Sequence, residues 1–248
     1  MPRKSREKSE NSTYHIMLRG INQQQIFEEE EDYKKFIEIL KHYQAVSEYK
    51  IYAYCLMGNH VHLLMEFFKE DVGQVFKRIG AKYVYWYNIK YSRKGHLFQD
   101  RFKSEPVDDD SYFLTVMRYI HQNPIKAGLC KKVDGYKYSS FQEYKYEANI
   151  VDVNYVYEFI PKAEFENYNN EIINENCLDI ETQPIKRVTD EEARKIMKRY
   201  SKCETATEFQ ALSIKERDKY IRKFKEKGIA IRQISRLTGI SYYIIQKL

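Results

Sequence analysis

Two apolar rhythms run along the chain and predict its elements. "YHIMLRG" (14–20) reads as a strand closed by Gly20. Over 30–48, Tyr33, Phe36, Ile37, Leu40 and Tyr43 recur every three or four residues, which predicts a helix. "KIYAYCLM" (50–57) and "HVHLLMEF" (60–67) are strand-like, and Gly58-Asn59 between them is a two-residue turn signal, so the pair predicts a hairpin. Val72, Phe76, Ile79, Tyr83 and Trp86 mark a second helix over 72–90. Residues 96–107 predict a fourth strand, and 108–124 a helix whose leading acids suit the positive end of its dipole. The order β-α-β-β-α-β-α predicts an α+β fold, an antiparallel sheet with helices on one or both faces.

The pattern then changes. Residues 147–184 mix acids, Asn and aromatics, with a short helix expected in "VDVNYVYEFI" and a linker in "NENCLDIETQP". Thr189 and Glu192 have capping-box spacing at the head of a helix over 189–200. In 228–248, Ile234, Leu237, Ile240, Ile245 and Leu248 are spaced for two short helices packed across a turn. Ser235 stands where they approach and Gly239 where the turn needs a permissive backbone. The pattern is a helix-turn-helix, though an ordinary helical hairpin has the same spacing. These shifts divide the chain into 1–146, an acidic extension and linker at 147–184, and a small all-α unit at 185–248.

Charge sharpens the division. Residues 1–146 carry 24 Lys and Arg against 19 Asp and Glu, 147–184 carry 1 against 9, and 185–248 carry 17 against 8. Two basic blocks flanking an acidic one point to a polyanionic partner, nucleic acid above all. In the last helix Tyr242, Tyr243, Gln246 and Lys247 lie outside the apolar stripe and would read a duplex groove. No apolar run is long enough for a membrane span. The four cysteines are far apart and form no CxxC pair, so a cytoplasmic protein with free thiols is expected.

Candidate chemistry starts with His60 and His62. Side chains alternate along a strand, so the two imidazoles share a face. Such a pair is a two-point ligand for a divalent metal, or simply two surface or hydrogen-bonded histidines. The helix over 108–124 adds Tyr119 and Asn123, four apart along one edge of its apolar stripe. Asn123 offers a carbonyl oxygen as a third ligand, and Tyr119 a phenol able to attack phosphorus. Pro124 is expected to end or kink the helix there.

"MGNHVHLLME", "LFQDRFKSEPV" and "RYIHQNPIKAGL", in that order, resemble the Y1 transposases of the HUH superfamily, in particular the REP-associated tyrosine transposases. "YHIMLRGINQQQIF" and "YKYSSFQEY" fit the same branch, and the resemblance spans roughly residues 1–180. It implies a ferredoxin/RRM-like HUH fold and metal-dependent nicking and joining of single-stranded or hairpin DNA through a 5′-phosphotyrosine. Carried onto this chain, it makes His60 and His62 the metal ligands, Tyr119 the nucleophile and Asn123 the third ligand, with Mg²⁺ or Mn²⁺ as the cation. The family usually has Pro where this chain has Gly58. The helix-turn-helix resembles a DnaA-type tail found in some members, and would engage duplex DNA. Candidate strand contacts are Arg3, Lys4 and Arg6 in the N-terminal arm, Arg19, and Lys77, Arg78, Lys82, Arg101 and Lys103 in the basic-aromatic run. Related transposases form dimers, so a homodimer is also an expectation. The rival reading is a non-catalytic, sequence-specific DNA-binding regulator on the same scaffold.

Overall fold

A computed structural model describes residues 7–171, 177–178, 190–229 and 231–248, leaving aside the side chains of residues 190, 191, 232, 242, 243 and 246. Arg3, Lys4, Arg6, the Thr189 cap and most of the expected linker therefore lie outside the described residues. The chain divides into two compact units, 1–179 and 180–248.

The first unit runs β1 (Thr13–Arg19), α1 (Glu30–Ser47), β2 (Tyr49–Met57), β3 (His60–Phe67), α2 (Val72–Lys90), β4 (Lys103–Pro106) and α3 (Asp110–Lys126), followed by short helices α4 (Phe141–Lys145), α5 (Val153–Tyr157) and α6 (Phe165–Asn170). The strands form one antiparallel sheet in the order β2-β3-β1-β4. Polar side chains set the starts of the helices. Glu29 and Asp32 form a capping box on α1, Asp71 accepts from the Gly73 N–H of α2, and Asp109 accepts from the Tyr112 N–H of α3.

Register determines what each face carries. Met17 pairs with His62, Arg19 with His60, His15 with Glu105, and Met17 also with Lys103. Opposed residues share a face, so His15, Arg19, His60, His62, Lys103 and Glu105 point the same way. Helix α3 covers this side, and its Tyr119 ring meets His15 and His62. The other face presents Ile16, Leu18, Val61, Leu63, Met65 and Phe67, all buried, and α2 packs there through Phe76 against Phe67. Each fully buried aliphatic side chain contributes about 2 kcal/mol of apolar transfer energy, which makes this dry face the main source of cohesion.

Three expectations change. The fourth strand has only four residues. Phe98 makes a single bridge to Gly20 and the Gln99 N–H donates to the Arg19 carbonyl, after which pairing lapses until Lys103. Helix α3 does not stop at Asn123; it continues through Pro124 to Lys126. The acidic extension belongs largely to the first unit. The buried Glu143 carboxylate accepts the N–H groups of Asn149, Ile150 and Val151 at 2.6, 2.8 and 3.0 Å, and the Tyr54 hydroxyl at 2.8 Å. Val151 then bridges Ile51 in parallel on β2. Ile150, Val151, Val156, Ile160 and Phe165 join the main core. Its described acids are at least partly exposed while its apolar residues pack inward, so the boundary falls some thirty residues later than the charge pattern suggested.

The second unit contains α7 (Asp190–Ser201), α8 (Ala206–Ala211), α9 (Ile214–Glu226), α10 (Ile231–Thr238) and α11 (Tyr242–Lys247) around its own core of Met197, Phe209, Ile221, Phe224, Ile234 and Ile245. Gly239 has φ +70° in the turn, Ser235 Oγ donates to the Ile240 carbonyl at 2.7 Å, and Gln210 Nε2 donates to the Thr238 carbonyl at 3.0 Å. These bonds hold α10 and α11 as two short helices across a tight turn, in the register that the apolar stripe predicts. Lys247 is exposed. Among the described residues no helix is long and apolar enough to cross a membrane.

Candidate active site

The two histidines differ in burial. His62 is 0% exposed, whereas His60, next to the hairpin turn, is half-buried. Their ring centroids are 5.2 Å apart and nearly perpendicular, at 86°. Each Nδ1 is engaged: that of His60 lies 2.7 Å from Asn59 Oδ1, and that of His62 lies 3.0 Å from His15 Nε2. An Asn carbonyl oxygen only accepts, so His60 Nδ1 carries a proton; in the neutral ring this leaves the lone pair on Nε2, the form in which imidazole binds a cation.

His62 Nε2 is buried and has no hydrogen-bond partner among the described residues. An unpaired buried polar atom costs about 1–3 kcal/mol, and native proteins seldom leave one without a purpose. Burial lowers the His62 pKa well below the usual imidazole value, and the nearby His15, His60 and Lys126 lower it further. The ring is therefore neutral, which is also the metal-binding form. This donor set fits a divalent cation. Among the described residues no cluster of three or more His, Cys, Asp or Glu could hold a metal, so a third protein ligand would have to come from another residue type, such as an amide.

Tyr119 belongs to the same pocket. Its ring centroid is 5.8 Å from that of His62 and 5.9 Å from that of His15, and both contacts are edge-on. The residue is buried, and the ammonium of exposed Lys126 lies 4.1 Å from its ring centroid. Asn123, one turn after Tyr119, is buried and folds back so that Nδ2 donates to the Tyr119 carbonyl at 3.2 Å. Its carbonyl oxygen remains the ligand-competent atom. The Tyr119 ring and His62 thus meet within one chain.

The basic candidates separate by element. Arg19 stands opposite His60 in the sheet and Lys103 opposite Met17, both on the histidine face. Arg101 is exposed in the loop before β4. Lys77, Arg78 and Lys82 are on α2, which packs on the other face. Arg78 is also committed to the protein, since it pairs with Glu70, donates to Ser47 Oγ at 3.0 Å and lies 5.7 Å from the Tyr43 ring centroid.

Sequence reasoning missed His15, Glu105, Asn59 and Lys126. A histidine in the otherwise apolar "YHIMLR" was the available signal for His15. The departure at Gly58 also has a local setting. A Cβ there would meet only the movable end of the Gln25 side chain, whereas the Gly58 carbonyl accepts the N–H groups of Ile26 and Phe27 at 2.8 and 3.1 Å, which ties the turn to the segment before α1.

A family model described as "Transposase IS200 like" matches residues 8–123, which include β1, both histidines and Tyr119. A Haemophilus influenzae protein described as a putative REP-associated tyrosine transposase is 28% identical over 101 residues, 36% of this chain. The chain spans 57% of that relative's length. A solved structure of a REP-associated tyrosine transposase bound to a REP hairpin aligns at TM-score 0.50 and 18% identity, covering 58% of this chain and 84% of that one, a likeness of fold. The sheet order and the placement of the histidine pair inside the matched region agree with these likenesses: over residues 8–123, just under half of its length, this chain is similar to the IS200-like transposases.

Proposed function

We propose that the first unit cuts and rejoins single-stranded or hairpin DNA through a covalent tyrosine intermediate, with Tyr119 as nucleophile. The observation that carries this reading is the 5.8 Å between the Tyr119 and His62 ring centroids, beside a buried imidazole nitrogen that has no hydrogen-bond partner among the described residues.

His60 and His62 would hold a divalent cation, Mg²⁺ or Mn²⁺, with Asn123 supplying an oxygen; two nitrogen donors make Mn²⁺ a good fit. When bound, the cation supplies Lewis-acid polarisation of the scissile phosphoryl group. Tyr119 Oη attacks phosphorus, giving up its proton. A P–O(Tyr) bond forms as the P–O3′ bond breaks, and the departing 3′-oxygen takes up a proton. The ester conserves the energy of the broken bond, so a 3′-hydroxyl can run the step backwards onto the same or another strand. The Lys126 ammonium, over the Tyr119 ring, places positive charge beside the reacting groups. Arg19 and Lys103, on the histidine face, would grip backbone phosphates, with Arg101 nearby in sequence.

The second unit's α10–α11 pair supports a duplex-binding role, with α11 and its exposed Lys247 in the groove. A cytoplasmic setting and assembly as a homodimer complete the proposal.

The test incubates the purified chain with hairpin oligonucleotides and Mn²⁺, then looks for a denaturant-stable protein–DNA adduct by gel shift and mass spectrometry. The adduct is expected for wild type and absent for Tyr119→Phe. Cleavage with turnover and no adduct would instead indicate an activated water. Tight duplex binding without any cleavage would indicate the regulator.

A further inference from the structure

His62 must offer a lone pair at Nε2 to bind a cation, so its single proton has to sit on Nδ1. A buried neutral imidazole does not settle this by itself, and its neighbour decides. The neighbour of His62 Nδ1 is another imidazole, His15 Nε2, at 3.0 Å. That bond can run either way. If His15 Nε2 carries the proton, it donates to His62 Nδ1, forcing the His62 proton onto Nε2 and blocking cation binding. If His15 Nε2 holds the lone pair, His62 donates and Nε2 is exposed to a cation.

Glu105 breaks this degeneracy. It is the register partner of His15 on β4, and its Oε2 lies 3.8 Å from His15 Nδ1, on the opposite edge of the ring from His62. At 3.8 Å this is an electrostatic contact longer than a hydrogen bond; the carboxylate's negative charge favours the His15 proton on the nearer nitrogen, Nδ1, and so leaves Nε2 as acceptor. Glu105 is itself held in place, because Oε2 accepts the Leu178 N–H at 3.0 Å. Three residues from three strands therefore line up as carboxylate, imidazole, imidazole.

We infer that His15 and Glu105 are positioning residues that lock His62 in the Nδ1–H tautomer and so present its Nε2 to the cation. Neither would touch DNA or cation, and the arrangement repeats through one extra ring the way carboxylates orient metal-binding histidines. The inference rests on the proposed metal role of His62, so its test needs a readout that works without metal.

Long-range ¹H–¹⁵N correlation spectra of the full chain, free of metal, report the tautomer of each histidine. Wild type should show His62 as Nδ1–H. Glu105→Leu, which removes the acceptor from a partly exposed position, should shift His62 toward Nε2–H. His15→Phe, which keeps the ring, should do the same. Mn²⁺ titration by electron paramagnetic resonance should then show affinity weakened about 10–100-fold in either variant. A purely packing role would leave tautomer and affinity unchanged. If His15→Phe fails to fold, Glu105→Leu carries the test alone. Wild-type His62 found as Nε2–H, or both variants binding Mn²⁺ within twofold of wild type, would overturn the inference. A wild type that binds no Mn²⁺ but shows Nδ1–H, shifted by Glu105→Leu, would remove the metal reading and leave the tautomer lock standing.

Discussion

His62 and His121 are both fully buried, yet their surroundings differ. His121, on α3 two residues after Tyr119, has both nitrogens occupied: Nδ1 donates to Asn169 Oδ1 at 2.7 Å, and Nε2 accepts from Ser140 Oγ at 2.8 Å. Phe141, Tyr144 and Phe165 surround its ring. His62 has one nitrogen bonded to His15 and the other without a hydrogen-bond partner among the described residues. Burial depresses both pKa values, so burial alone does not mark a site. The difference is polar satisfaction. A closed hydrogen-bond set belongs to a core, whereas a sealed imidazole with an open nitrogen can accept a ligand.

The largest effect that would sharpen this contrast is at the phenol. Tyr119→Phe is expected to remove adduct formation altogether while leaving the melting temperature near wild type, because Phe keeps the buried ring. Adduct from the Phe variant would take Tyr119 out of the pocket's chemistry.

The histidines should then separate by type of damage. His121→Leu leaves Asn169 and Ser140 facing an apolar group and is expected to cost about 2–4 kcal/mol of stability, read by urea denaturation. His62→Leu removes an unsatisfied atom together with a single bond, the one to His15 Nε2. It should cost less than His121→Leu and abolish the Mn²⁺-dependent rise in melting temperature expected of wild type. Equal losses at the two positions would break the comparison.

Glu143→Ala tests the wall beyond His121, where one carboxylate holds three backbone N–H groups. Leaving those donors and the Tyr54 hydroxyl unpaired should cost about 3 kcal/mol, with early protease cleavage near residues 147–152.

A pH series gives a graded effect. Burial pushes the His121 pKa down to about 4, against the opposing bond from Asn169. The unfolded chain takes up that proton near the ordinary imidazole value of about 6.5, while the folded chain refuses it. The His121 contribution is therefore full above about pH 6.5, declines as pH falls, and is exhausted below about pH 4. The His121 share of that loss is up to about 3 kcal/mol, and His121→Leu should remove it, leaving the share that His62 contributes.

The smallest effect should come from the basic residues. Arg19→Ala is expected to weaken strand binding modestly and lower the salt slope by about one, and Lys77→Ala, on the far side of the sheet, should do less.

Much of this protein was legible along the chain. Apolar period located β1, α1, β2, β3, α2, α3 and the tail helices to within a few residues, since each element's burial pattern is written in its own stretch. Strand alternation placed His60 and His62 on one face for the same reason. The break in β4, the continuation of α3 past Pro124 and the docking of residues 150–170 on β2 were not legible, because each depends on partners remote in sequence. His15 and Glu105 show this most clearly. Nothing local in "YHIMLR" or "KSEP" assigns them a role, and only the antiparallel register of β3, β1 and β4 aligns carboxylate, imidazole and imidazole. The sequence by itself determined which chemical groups were available and which way each strand would turn them. Tertiary structure decided which groups meet, because hydrogen bonds and pocket geometry act across a few ångströms of space whatever the distance along the chain.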